Sequence, residues 1–141
     1  MTSIGFFSGS ASSGSTMLAV STSKLLADMG KRVLHIFTGI SSLYSYVEKN
    51  NAGSLDDIKS SLVGRSLTEE EIKATAKTVD GIEPIEPNKI FLKANTFPVD
   101  SFEQILNSSR CFDYVVVDAG SDFRTALTIS ALCYCNKRIV S

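Results

Sequence analysis

The chain has no tryptophan, a single histidine and three cysteines, and no uninterrupted apolar run of membrane-spanning length occurs in its 141 residues. Each lack excludes a class of protein. The lone histidine, His35, has no evident partner for a Ser/His/Asp or Cys/His arrangement. It stands among apolar neighbours in VLHIF and reads as a packed strand residue. Cys111, Cys133 and Cys135 are an odd number with no CxxC pair, which argues against a zinc site or a disulfide framework. Cys133 and Cys135, within ISALCYC, read as small buried side chains. No stretch could cross a bilayer as a helix, and MTSIGFFSGS lacks the basic flank and apolar core of a signal peptide. A cytoplasmic protein is expected. A net charge of −1 gives no overall basic footprint for nucleic acid. The pairs Lys31-Arg32 and Lys137-Arg138 read as solvated ends of elements.

What is present is an alternation of strand and helix signals over a length that suits one domain, residues 1–141. Ile4–Phe7 reads as a strand. Thr16–Met29 reads as a helix with Leu18, Thr22, Leu25, Leu26 and Met29 on its apolar face and Gly30 at its end. Val33–Phe37 is a second strand. Helices are expected over Ser41–Lys49 and over Leu55–Val63, the latter capped by Ser54. Another begins at the capping box Ser66-x-x-Glu69 and carries Ile72, Ala76 and Val79 on one face. Pro84 and Pro87 interrupt the chain before a third strand, Ile90–Leu92. A second capping box, Asp100-x-x-Glu103, opens a helix with Phe102, Ile105 and Leu106 inward. Phe112–Asp118 is the strongest strand, and its three successive valines imply burial on both faces. Asp122 caps a helix through Leu132, and Arg138–Ser141 begins a last strand. The alternation predicts an α/β fold, a doubly wound, mostly parallel sheet with helices on both faces in a three-layer sandwich.

In such a sheet ligands sit at the carboxyl ends of the strands. The first loop there reads Gly9-Ser10-Ala11-Ser12-Ser13-Gly14-Ser15-Thr16. It matches the phosphate-loop spacing GxxxxG-x-[ST], in which backbone N–H groups and a helix N-terminus cradle phosphate and a hydroxyl serves magnesium. The position that normally holds lysine is Ser15.

This loop, with MGKRVLHIF behind it and FDYVVVDAG later, resembles the ParA/MinD (SIMIBI-class) P-loop ATPases. The resemblance implies cofactor-binding residues Gly9 through Thr16 with Asp118, metal ligation by Thr16 and Asp118, and ATP or ADP with Mg2+ as cofactor. It also implies a protein partner or homodimer and a role in spatial organisation such as partition, pilus or secretion-machinery positioning. The departures from the family pattern lie at the charged positions. Its two loop lysines correspond to Ser10 and Ser15, and its Asp-rich segment after the second strand corresponds to Phe37-Thr38-Gly39. A neutral hydroxyl replaces a charge-assisted donor, and one such donor is worth roughly 3 to 4 kcal/mol in a transition state. Weak or absent hydrolysis is therefore expected, no catalytic residue is assigned, and the chain is most similar to atypical TadZ/CpaE-like members whose Walker motifs also drift. Arg124 either reaches a phosphate or faces solvent. ParA/MinD domains continue past the strand at Val140, so the sequence is a fragment or a naturally short form.

Two other readings stand beside this one. The serine-rich loop is also similar to the FMN phosphate loop of flavodoxins, although Asn95–Pro98 offers just one aromatic, Phe97, to cover a flavin. Alternatively, the fold serves as a ligand-free interaction scaffold.

Overall fold

β1 (Thr2–Phe7), α1 (Ser15–Asp28) and β2 (Val33–Phe37) open the chain, and a 3-10 turn (Leu55–Asp57) then runs into α2 (Lys59–Val63). After these come α3 (Glu69–Thr75), β3 (Ile82–Ile85), α4 (Ser101–Asn107), β4 (Tyr114–Gly120), α5 (Ala126–Tyr134) and β5 (Lys137–Val140). This computed structural model describes residues 1–9, 14–39, 53–88, 96–120, 123 and 125–141. The expected helix over 41–49 and the expected strand over 90–92 lie outside the described residues, as do Ser10, Ala11, Ser12, Ser13, Asp122 and Arg124.

The strands form one sheet in the order β3-β2-β4-β1-β5, with every pairing parallel. β4 is central because its valines must be covered twice. Val115, Val117 and Ala119 join Phe7, Leu34 and Ile36 under Phe102, Ile105, Leu127 and Ala131 of α4 and α5. Val116 points the other way, with Phe6, Val33 and Phe37, against Ala19 and Val20 of α1. Side chains alternate across a strand, so one run of valines feeds two cores, and helices cover both faces as the sequence predicts.

α1 turns a different face to the sheet from the one its periodicity indicates. Ser15, Ala19, Val20 and Ser23 are buried, whereas Leu18, Leu25 and Met29 are 46%, 62% and 64% exposed. The sheet beneath presents the bulky side chains Phe6, His35 and Phe37, and close packing above them favours small residues. The most apolar face was not the best-fitting one.

Several boundaries also shift. β3 contains Pro84, which the sequence marks as a break. Proline is tolerated because β3 is an edge strand, where a missing N–H need not leave a ladder bond unmade. Thr68, rather than Ser66, caps α3 by accepting from the Glu71 N–H at 3.3 Å. Asp100 stands at the start of α4 without a capping bond, its carboxylate drawn instead to Arg65 at 3.3 Å. α5 is capped by Thr125. Ser54 does cap as expected, in a reciprocal box with Asp57.

Two of the basic residues expected in solvent are engaged. Arg32 makes a forked pair with Glu83 at 2.8 and 2.9 Å and lies 4.6 Å over the Phe112 ring. Arg138 donates to the carbonyls of Leu132 and Cys133 at the end of α5. Cys135 is buried, but Cys133 is exposed.

Candidate functional site

Among the described residues the connections between strands diverge between β1 and β4. From β1 the chain crosses one face of the sheet in α1 to reach β2, and from β4 it crosses the opposite face in α5 to reach β5. The two connections diverge where β1 and β4 lie side by side, and in α/β sheets such a divergence leaves a binding crevice at the carboxyl ends of the strands. Phe6 is in register with Asp118, and the Ser8 N–H donates to the Gly120 carbonyl at 2.9 Å. On the other flank of β4, the Thr38 N–H donates to the Asp118 carbonyl at 3.0 Å.

The first loop ends in this crevice. Gly14 precedes α1 with φ 85°, a left-handed conformation that suits glycine, and no side chain caps the helix. The first turn of α1 carries no acidic residue. A helix start of this kind presents N–H groups without intrahelical acceptors and the positive end of the helix dipole. Ser15 is 7% exposed and turns toward the sheet, while Thr16 is half-buried. Gly9 is held at the loop's entrance by a 2.9 Å bond from its N–H to the Ser141 carbonyl.

Asp118 lies in the buried part of β4 at 1% exposure, and among the described residues neither carboxylate oxygen has a hydrogen-bond partner of good geometry. The Thr16 hydroxyl and the Gly120 N–H lie close enough to favour the charged form, but burial outweighs them and pushes the carboxyl above its ordinary range.

A buried carboxylate with unused oxygens beside a threonine hydroxyl fits a hard divalent cation. Among the described residues no group of three or more His, Cys, Asp or Glu could hold a metal by itself. Magnesium commonly takes one or two protein oxygens and fills its octahedron with water and substrate phosphates. The donor set here fits a cation shared with a phosphate ligand, and does not fit a free-standing metal centre.

Of the sequence candidates, Gly9, Gly14, Ser15, Thr16 and Asp118 stand around this crevice. His35 does not. It is buried under α1, 2.6 Å from Ser23 Oγ through Nδ1, with its pKa lowered to about 3 by burial. Sequence reading missed Thr38, Thr125 and Thr128, whose hydroxyls cluster behind β4. Three hydroxyl residues, Thr125, Thr128 and Ser130, in an otherwise apolar stretch were the available signal. Phe123 was missed too; it is 41% exposed and stacks on Phe7 with ring centres 6.3 Å apart.

The strand order and crossovers are those of a P-loop NTPase-like α/β fold. No family model matches the sequence, and neither does any curated protein. Solved structures do share the fold, and they are ParA/MinD-family ATPases. A ParA family ATPase from Chlorobium tepidum superposes with TM-score 0.78 at 16% identity, over 99% of this chain and 59% of its own. The septum site-determining protein MinD from Pyrococcus horikoshii, complexed with Mg-ADP, gives 0.71 at 16% identity over 99% and 56%. The MinC:MinD cell division protein complex of Aquifex aeolicus gives 0.70 at 19% identity over 99% and 55%. At such identities the likeness establishes the fold, and the chain spans less than two thirds of the length of each.

The flavodoxin alternative is not favoured. Flavodoxins order their strands 2-1-3-4-5, whereas β1 here lies between β4 and β5. Phe97, the aromatic that would have to cover a flavin, is 6% exposed in the core, with the Lys59 ammonium 5.1 Å from its ring centre. Among the described residues, no helix is long and apolar enough to cross a membrane.

Proposed function

We propose that residues 1–141 form a ParA/MinD-like domain of the atypical TadZ/CpaE kind. In this reading it holds the phosphates of ATP or ADP with Mg2+ through a degenerate phosphate loop and acts in spatial positioning, with little or no hydrolysis. The observation that carries this reading is Asp118, buried beside Thr16 at the start of α1 with no well-formed hydrogen bond to its oxygens among the described residues. Nothing in core packing calls for a carboxylate there, and holding one is a standing cost.

In this reading the backbone of Gly9 through Thr16 cradles the phosphates, the hydroxyls of Ser10, Ser12 and Ser13 supplement it, and Thr16 with Asp118 holds the cation. When bound, Mg2+ would supply charge neutralisation between the phosphate oxygens. Ser15 offers a hydroxyl where phosphoryl transfer normally relies on a cationic side chain. Binding can survive that exchange better than catalysis can, since catalysis depends on charge stabilisation in the transition state. Such a protein works where ATP and Mg2+ are plentiful, in the cytoplasm, and acts through a protein partner or a second copy of itself.

The test is a thermal-shift titration with ATP, ADP and FMN, each with and without Mg2+, followed by a phosphate-release assay. A ligand at 100 times its dissociation constant adds about 2.7 kcal/mol, which is several degrees for a domain of this size. A Mg2+-dependent shift with ATP or ADP, no shift with FMN and negligible phosphate release are expected. No shift with any of the three would sink the nucleotide reading and leave the ligand-free scaffold.

A further inference from the structure

Three buried threonine hydroxyls behind Asp118 tie the ends of two strands to the first turn of α5. The Thr125 hydroxyl donates to Thr128 Oγ1 at 2.6 Å. Thr128 Oγ1 lies 3.1 Å from Thr38 Oγ1 and, at the long limit of a bond, 3.5 Å from the Ala119 carbonyl. The Thr128 N–H closes the cluster by donating to Thr125 Oγ1 at 3.3 Å. Thr38, Thr125 and Thr128 are 3%, 2% and 0% exposed.

A threonine hydroxyl has one proton to give and two lone pairs to offer. With Thr125 donating to it, Thr128 can direct its own proton to Thr38, at the end of β2, or to Ala119, the residue after Asp118. Either choice bonds α5 to a strand end that carries Asp118 or adjoins it, since Thr38 also donates its N–H to the Asp118 carbonyl. The strand ends meet closely. A Cβ on Gly39 would stand 3.3 Å from the Ala119 carbonyl oxygen, so no side chain separates the backbones there. Valine would fill the volume of Thr128 almost as well, which leaves the hydroxyl unexplained by packing.

We propose that Thr128 is a positioning residue for Asp118. Through Thr38 and Ala119 it clamps the ends of β2 and β4, so that the carboxylate is held where a cation bridging it to phosphate can use it. Thr128 itself touches neither ligand. Groups that orient metal ligands in this way commonly contribute 10- to 100-fold to metal affinity. The inference rests on Asp118 being the cation ligand, and its test separates the two claims.

Mg2+ would be titrated into the full chain with saturating ADP, comparing wild type with Thr128→Val, Thr128→Ser and Thr38→Val, and reading apparent Mg2+ affinity by calorimetry. Thr128→Val is expected to weaken Mg2+ about tenfold or more, and Thr128→Ser, which keeps the hydroxyl, to restore most of it. ADP affinity without Mg2+ should stay within about twofold, a pattern that general loss of stability would not give. If Thr128→Val fails to fold, Thr38→Val removes one arm of the clamp and should still weaken Mg2+ severalfold. Wild-type Mg2+ affinity in both valine variants would overturn the positioning role while leaving Asp118 as ligand. Absence of any Mg2+ dependence in the wild type would overturn both.

Discussion

Ser23 on α1 and His35 on β2 share a hydrogen bond of 2.6 Å, and both side chains are at 0% exposure between helix and sheet. The His35 ring also lies 4.4 Å from the Phe37 ring, and among the described residues its Nε2 has no hydrogen-bond partner. An imidazole in that setting stays neutral, which is why burial lowers its pKa from 6.5 to about 3.

The pH consequence follows from which state takes the proton. The unfolded chain binds one near pH 6.5 and the folded chain does not until about pH 3. The stability that His35 contributes is therefore complete above its unfolded pKa and is lost as the pH falls toward 3. The loss approaches about 1.4 kcal/mol per pH unit within that window. Urea midpoints measured from pH 7 to 4.5 should fall more steeply for the wild type than for His35→Gln. Parallel curves would show that the ring is not buried neutral.

Asp118 carries the opposite sign. Its raised pKa means that the folded state holds the proton more tightly than the unfolded chain does. This group's stabilisation is complete below the ordinary value of 3.8 and is lost as the pH rises through the higher folded value. Wherever it is ionised, the buried carboxylate is a net cost. Asp118→Asn is expected to raise the urea midpoint of the ligand-free protein at pH 7 while abolishing the Mg2+-dependent part of nucleotide binding. A variant less stable than wild type that still responds to Mg2+ would show that Asp118 serves the fold and not a ligand.

The contrast between these residues shows how far the sequence could be read. Val115–Val117 announced a strand covered on both faces, and β4 is that strand, because consecutive large apolar residues have no other economical place in an α/β sheet. Thr16 and Asp118, which sequence spacing and strand position single out, do lie near one another at the start of α1. The inward face of α1 was not legible, since Leu18, Leu25 and Met29 outweigh Ala19, Val20 and Ser23 on any hydrophobicity scale. The decision lay with Phe6, His35 and Phe37, bulky partners distant in sequence. Pro84 misled for a related reason: a proline's tolerance in a strand depends on whether that strand is an edge, which is a property of the whole sheet. The threonine cluster needed Thr38 brought to Thr128 across 90 residues of chain, and no local pattern encodes that meeting.

Gly14 offers the last test, because its environment separates conformation from crowding. It sits at φ 85°, and among the described residues a Cβ placed there would meet nothing within 4 Å. Any penalty for a side chain must therefore come from the left-handed backbone itself, about 1 to 2 kcal/mol for an ordinary L-residue. Asparagine tolerates that region better than alanine does, through local hydrogen bonding of its short polar side chain. Gly14→Ala is expected to lower stability by about 1 kcal/mol or more and Gly14→Asn by clearly less, as read from urea midpoints at constant m-value. The order is informative because alanine has the smaller side chain. Steric crowding would make asparagine the worse substitute, so a larger loss in Gly14→Asn would mean that the turn into α1 is not held by left-handed geometry. Mg-ADP binding in the two variants then adds a second reading. If the turn aims the α1 N–H groups at phosphate, the affinities should fall in the same order as the stabilities, with alanine the weaker binder. Equal affinities across the pair would place the phosphate contacts away from the start of α1.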